Sequence, residues 1–307
     1  MMMGKLASRR VDFAAVARAP LAAMQWRLLL LWTLLLLLPT AVVGVPLWRS
    51  LAGLLDHSVH AQAWAGHFSP LMFGDSLSAL GDGTGWLKGA VLLGLLLTLL
   101  LSPFLNGMLV GSGRAGRVLG FGHLLQCGIV EYGRMFRLML WSVVPYAAMA
   151  ALIGVVFGAA DRIGARAVLE SQADRAVHAA AGLAVLLFVL AQAIVESARA
   201  VFIANSGLRS ATRALGRGFM QLLRRPFSTL LSYLLISLVG YAVALALGIV
   251  RVHTPALGVS GTVLAVLLAQ LVVLVLGWVR VARVYALAEV ARSLSSGRRA
   301  GRMPQPL

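Results

Sequence analysis

A chain of 307 residues with 60% hydrophobic and only 12% charged residues carries more apolar surface than a soluble core of that size encloses, so it belongs in a bilayer. One cysteine, Cys127, excludes a disulfide framework and a thiolate zinc site. The formal charge of +17 does not point to nucleic acid, because the arginines stand at the ends of apolar segments and not in a separate polar domain; the acidic partner they suit is the lipid headgroup.

Residues 1–27 place Lys5, Arg9, Arg10, Arg18 and Arg27 among Val11, Phe13, Val16, Leu21 and Met24. A basic stretch before an apolar run suits the n-region of a signal peptide. The run that follows, 28–48, is long enough to span a bilayer, and no small-x-small cleavage site closes it. The stretch therefore reads as a basic interfacial segment on the cytoplasmic side. Pro39 and Pro46 predict a kink or a frayed end in the first span.

Residues 49–85 form the one sizeable outer loop, with an interfacial helix expected over 51–68 and a turn at Gly81-Asp82-Gly83-Thr84-Gly85. His57, His60 and His67 fall here, and the seven-residue step from His60 to His67 puts both on one helical face with Asp56. That spacing permits a metal site, but no fourth convergent ligand is identifiable, so the bland reading is surface histidines on an interfacial helix. No cofactor is implied.

The second span covers 86–109, with Lys88 snorkelling at its start. Ser102-Pro103 and Asn106-Gly107 interrupt its inner end, where a bend or a broken helix with freed backbone groups is expected. Gly111-Ser112-Gly113-Arg114-Ala115-Gly116 matches G-x-G-x-x-G, but no strand precedes it and nothing here builds the βαβ unit that a dinucleotide fold needs. Val118, Phe121, Leu125, Ile129, Tyr132 and Phe136 then recur at helical spacing, flanked by Arg117, Arg134 and Arg137, which predicts an amphipathic elbow helix in the headgroup layer.

The third span, 138–160, carries Gly154-x-x-x-Gly158, read as a packing face within the chain. The fourth, 176–200, places Gln192, Glu196 and Arg199 on one face; an ionisable residue at membrane depth is a functional hypothesis in itself. Arg199 or an arginine from another helix can pair with Glu196. Arg209, Arg213, Arg217, Gln221 and Arg224 then form a basic stripe on a second elbow helix, with Leu208, Leu215, Phe219 and Leu222 opposite, and Pro226 starts the next helix. The fifth span is 227–250. The sixth is 262–281 and continues as helix through Arg283, Glu289 and Arg292 into a basic disordered tail, 295–307.

The sequence therefore predicts an all-α, polytopic membrane helix bundle of about six transmembrane helices over 28–294, with two amphipathic cytoplasmic elbow helices. Putting both termini in the cytoplasm leaves the whole formal charge of +17 on the inner face and none on the outer, as the positive-inside rule demands. Arginine outnumbers lysine heavily, Lys5 and Lys88 being the only lysines, and the apolar positions are rich in Leu and Ala. That usage points to a GC-rich bacterial coding sequence and hence to a bacterial inner membrane.

Sliding Gly111 onto Gly207 brings Arg117, Leu119, Gly120 and Gly122 onto Arg213, Leu215, Gly216 and Gly218. After a shortening, Arg134, Phe136 and Leu140 fall on Arg225, Phe227 and Leu231. This is a parallel internal repeat, not the inverted kind common in secondary transporters. The doubled pattern of span, Gly/Arg turn, Arg-x-Phe and span resembles the membrane domain of bacterial glycerophosphodiester phosphodiesterases and related uncharacterised families, over roughly residues 104–250. In that family the membrane domain is separate from the catalytic barrel, so the resemblance implies a multi-pass bundle and carries over no active-site residue.

No H-E-x-x-H, G-x-S-x-G, Walker loop or paired intramembrane carboxylates occur, so no enzyme is expected. The expectation is a membrane scaffold or accessory subunit whose basic face, Arg117, Arg134, Arg209, Arg213, Arg217 and Arg224, meets anionic lipid, with a protein partner or homo-oligomer as a further possibility. The alternative is a transporter or permease subunit using Gln192, Glu196 and Arg199.

Overall fold

Eight helices make up the described part of the chain, which in this computed structural model comprises residues 12–55, 70–71, 74–75, 78, 85–167, 169–255 and 258–300. They are α1 (Phe13–Ala22), α2 (Trp26–Leu55), α3 (Gly85–Ala115), α4 (Phe121–Gly164), α5 (Glu170–Ala204), α6 (Ala211–Arg224), α7 (Pro226–His253) and α8 (Gly258–Ala300). Six of them, α2, α3, α4, α5, α7 and α8, are long and apolar enough to cross a membrane.

All six outrun the expected spans at both ends, most of all α4 and α8. The tail expected to be disordered from 295 is helical to Ala300. Pro39 and Pro46 lie inside α2, and Pro103 inside α3, where the helix runs unbroken through the interruption expected at 102–107.

Burial is concentrated at one end of the bundle, the end that carries α1 and α6. There the C-terminal half of α8 is enclosed almost all round: Val279, Val281, Ala282, Val284, Ala286, Leu287, Ala288 and Val290 are buried. A helix apolar on every side is a central pillar, and α1, α2, α5 and α7 stand against it. Toward the other end the spans present Leu92, Leu96, Val155, Val185, Leu245 and Val263 outward. Apolar side chains facing out along a span are what a lipid solvent requires.

The first expected elbow is not a separate helix. The chain turns at Gly116, whose φ of +62° is open to glycine without strain, and α4 then runs from Phe121 straight through Phe136 into the third span. Nothing between Phe136 and Leu138 breaks it. Residues 121–136 are instead the first turns of that span, laid against α3 through small residues: a Cβ at Gly107 would meet the Gly128 carbonyl oxygen at 3.0 Å, and one at Gly111 would meet Cys127 Cβ at 2.4 Å.

The apolar face read from periodicity points outward, with Phe121, Leu125 and Ile129 exposed, while Leu124, Gly128, Glu131 and Met135 face the core. Gly154 and Gly158, expected to pack within the chain, have nothing within 4 Å of a Cβ.

The second elbow is a discrete helix, α6, because Pro226 begins α7 and Arg225 between them is non-helical. Ser210 caps it, its hydroxyl accepting from Arg213 N at 3.3 Å. Its core face of Ala211, Ala214, Gly218, Gln221 and Leu222 is buried; Gln221, expected on the basic stripe, is turned inward instead, its Nε2 donating to the Leu287 carbonyl of α8 at 3.2 Å.

Candidate functional site: a buried ionic cluster among six spans

Glu196 lies two turns from the end of α5 and is 2% exposed. Its partner is Arg283 of α8, whose Nη2 donates to Oε1 at 2.7 Å. The opposite side of that guanidinium faces a ladder on α7: Nη1 lies 3.3 Å from the Tyr233 hydroxyl, 3.2 Å from Ser237 Oγ and 3.3 Å from the Tyr241 hydroxyl. Residues four apart share a helical face, so these three oxygens line one stripe. The same cation sits over the Tyr233 ring, 4.8 Å from its centroid.

Two further arginines surround Glu196 without touching it. Arg199, one turn along α5, and Arg280, one turn back along α8, lie within electrostatic reach of its carboxylate and of each other. Arg280 Nη2 reaches Asn106 Oδ1 of α3 at 3.4 Å, and its guanidinium stacks over Trp32 of α2 at 5.6 Å. Asn106 is itself held by the helix, its Nδ2 donating to the Ser102 carbonyl at 2.7 Å. The polar residues of 102–107 thus belong to the site without breaking α3. From α4, the Tyr146 hydroxyl donates to Gln192 Oε1 at 3.0 Å.

Gln192, Glu196 and Arg199, the polar trio read from the sequence, are therefore brought together as expected. Sequence reasoning did not bring in Arg280, Arg283, Tyr146, Tyr233, Ser237 and Tyr241. The signal available was the i, i+4, i+8 hydroxyl ladder on α7 and the two arginines spaced by three on α8, inside an otherwise apolar helix. Measured along α7 from Pro226, the ladder lies roughly 10–22 Å from the start of the helix at 1.5 Å per residue, within one of the helices long and apolar enough to cross a membrane.

A second ionic group lies nearer the α1/α6 end. Glu131, with its side chain 7% exposed, accepts from Arg114 Nη1 at 2.5 Å and Arg134 Nη1 at 3.0 Å, and Arg114 Nε also donates to the Phe202 carbonyl at 2.9 Å. Arg134, expected on the headgroup face, is thus turned to Glu131. Arg117, Arg209, Arg213 and Arg224 are exposed, and Arg217 is half-buried. Beside Arg117 a cleft of about 530 Å³ opens between α1, α3 and α8, bordered by Arg18, Gln25, Ser112 and Glu289. At its floor the Ser112 hydroxyl donates to Gln25 Oε1 at 2.5 Å. His57, His60 and His67 lie outside the described residues.

Neither a family model, nor a curated protein, nor a solved structure matches this chain.

Proposed function

We propose that this is a non-catalytic, multi-pass protein of a bacterial inner membrane, a scaffold or accessory subunit whose cytoplasmic end engages anionic lipid. The observation that carries the reading is the three-sided character of α6. With residues 100° apart around the axis, its core face, its basic stripe of Arg213, Arg217 and Arg224, and its exposed apolar flank of Phe219 and Leu223 lie roughly a third of a turn from one another. A helix at the boundary of protein, headgroup and acyl chain needs one face for each. Each base near an anionic leaflet contributes on the order of 1 kcal/mol. Both termini are cytoplasmic in this reading, and the parallel repeat and the resemblance to phosphodiesterase membrane domains remain parts of it.

The test is retention of lipid. Native mass spectrometry of the full chain in detergent, with phosphatidylglycerol added, is expected to show fewer lipid adducts when Arg213, Arg217 and Arg224 are all changed to Gln. Equal adduct numbers would remove the basis for the reading.

A transporter or permease subunit is the second reading, favoured by one observation: residues of all six apolar spans gather around Glu196 and its arginines. Glu196→Asp keeps the charge and withdraws the carboxylate, so lost uptake at normal abundance supports a relay and an unchanged phenotype opposes one.

A further inference from the structure

The ionic cluster does not balance. Three guanidinium groups, those of Arg199, Arg280 and Arg283, surround the single carboxylate of Glu196, and no other described acid acts on them. Glu131 is committed to Arg114 and Arg134, and Glu289 to Arg292, while Asp161, Glu170 and Asp174 lie at the far ends of their helices. Tyrosine hydroxyls and ring faces soften the field of a cation but cannot cancel its charge. Like charges held together away from water are costly unless something of opposite sign is placed among them.

The hydrogen bonding of the cluster is incomplete as well, with two buried guanidinium donors and one buried carboxylate oxygen, Glu196 Oε2, lacking protein partners. Nε of Arg280 and Nε of Arg283, itself 8% exposed, are buried and donate to no protein atom. Arg280 otherwise makes one long bond, to Asn106, and Arg199 makes none to a described residue. The Tyr233 hydroxyl accepts from Arg283, which leaves its own proton without a described acceptor. Guanidinium forks present parallel N–H pairs that match the oxygens of a phosphate. Arg199 and Arg280 are each partly exposed, whereas Arg283 is buried.

We propose that Arg199, Arg280 and Arg283 form an intramembrane binding site for a phosphate group, carried by an anionic lipid headgroup or by a free phosphate ion, with Glu196 holding Arg283 in place for it. The site is distinct from the exposed stripe of α6 and does not depend on that stripe binding lipid.

Thermal unfolding of the purified full chain tests it in two arms: inorganic phosphate against chloride in a zwitterionic detergent, and nanodiscs of phosphatidylcholine with or without phosphatidylglycerol. The wild-type Tm is expected to rise in at least one arm, and Arg199→Gln and Arg280→Gln are each expected to abolish that rise, whereas Arg213→Gln with Arg217→Gln is expected to keep it. A rise with phosphatidylglycerol alone assigns the headgroup, and one with inorganic phosphate assigns the free ion.

Without either anion, Arg199→Gln is expected to unfold at a higher temperature than wild type, because it removes an unbalanced charge; a purely structural arginine would lower the Tm instead. No rise for the wild type in either arm, or an undiminished rise in both Gln variants, overturns the site. Should Arg280→Gln not fold, Arg199→Gln alone decides.

Discussion

Glu196 and Arg283 stand 87 positions apart in the chain and meet at 2.7 Å, joining α5 to the buried half of α8. Among the described residues, Glu196 is the one carboxylate acting on the three guanidinium groups. Removing one member of a buried ionic group costs about 3–5 kcal/mol. Glu196→Gln is therefore expected to be the most destabilising single change in the cluster, measured by thermal unfolding in detergent, and adding Arg199→Gln to it is expected to recover part of the loss. A double variant less stable than Glu196→Gln alone would show that Glu196 does something other than balance charge.

Two glycines two residues apart on α6, and so on opposite sides of it, separate packing from propensity. A Cβ at Gly218 would lie 2.6 Å from Ala198 N and 2.8 Å from Ile194 O, both backbone atoms of α5 that cannot move aside, whereas a Cβ at Gly216 meets nothing within 4 Å. Gly218→Ala is expected to cost about 1–3 kcal/mol by overpacking. Gly216→Ala is expected to be neutral or to stabilise by about 0.5–1 kcal/mol, since alanine favours helix. Equal effects in the same unfolding assay would mean that α6 is not docked on α5 as described.

The six spans were legible because a run of about 20 apolar residues has few other uses, and so was the polar trio on α5, because helical spacing alone brings Gln192, Glu196 and Arg199 to one side. What crosses from helix to helix was not legible. Periodicity says that Arg283 continues a helix but not that α8 is the enclosed pillar. It marks Phe121, Leu125 and Ile129 as a face without saying that the face turns outward, which in a lipid solvent is where an apolar face belongs. The same limit applied to 102–107, where proline and asparagine suggested a break; Pro103 is accommodated inside α3, and Asn106 turns back to Ser102 while its carbonyl oxygen meets Arg280.

Arg114 joins three helices, bonding Glu131 of α4 and the Phe202 carbonyl of α5 from the end of α3. Hydrogen bonds to charged groups contribute about 1.5–3 kcal/mol. Arg114→Gln is expected to lose that order of stability, and Arg114→Lys to recover only part of it, since one ammonium cannot serve both directions with a fork's geometry. Full recovery by lysine in a denaturant titration would reduce the contact to simple charge.

Sidedness is checked by reporter fusions. One placed after Asp75 is expected to report the outer side and one after Arg217 the cytoplasm. The reverse result for either would overturn the placement of α6 in the inner leaflet.

The pairing of α5 with α8 also orders events during synthesis. Glu196 enters the membrane while Arg283 is still to be made, because two further spans, α7 and α8, follow α5. Until the last helix arrives, α5 carries a carboxylate whose only basic neighbour is Arg199 on its own surface. The arrival of α8 brings the ion pair and the central pillar at one stroke, against a tyrosine ladder that α7 already carries. A ribosome that stalls before Arg283 leaves a nascent chain with an exposed polar segment in the bilayer, the kind of feature a membrane protease can read as unfinished.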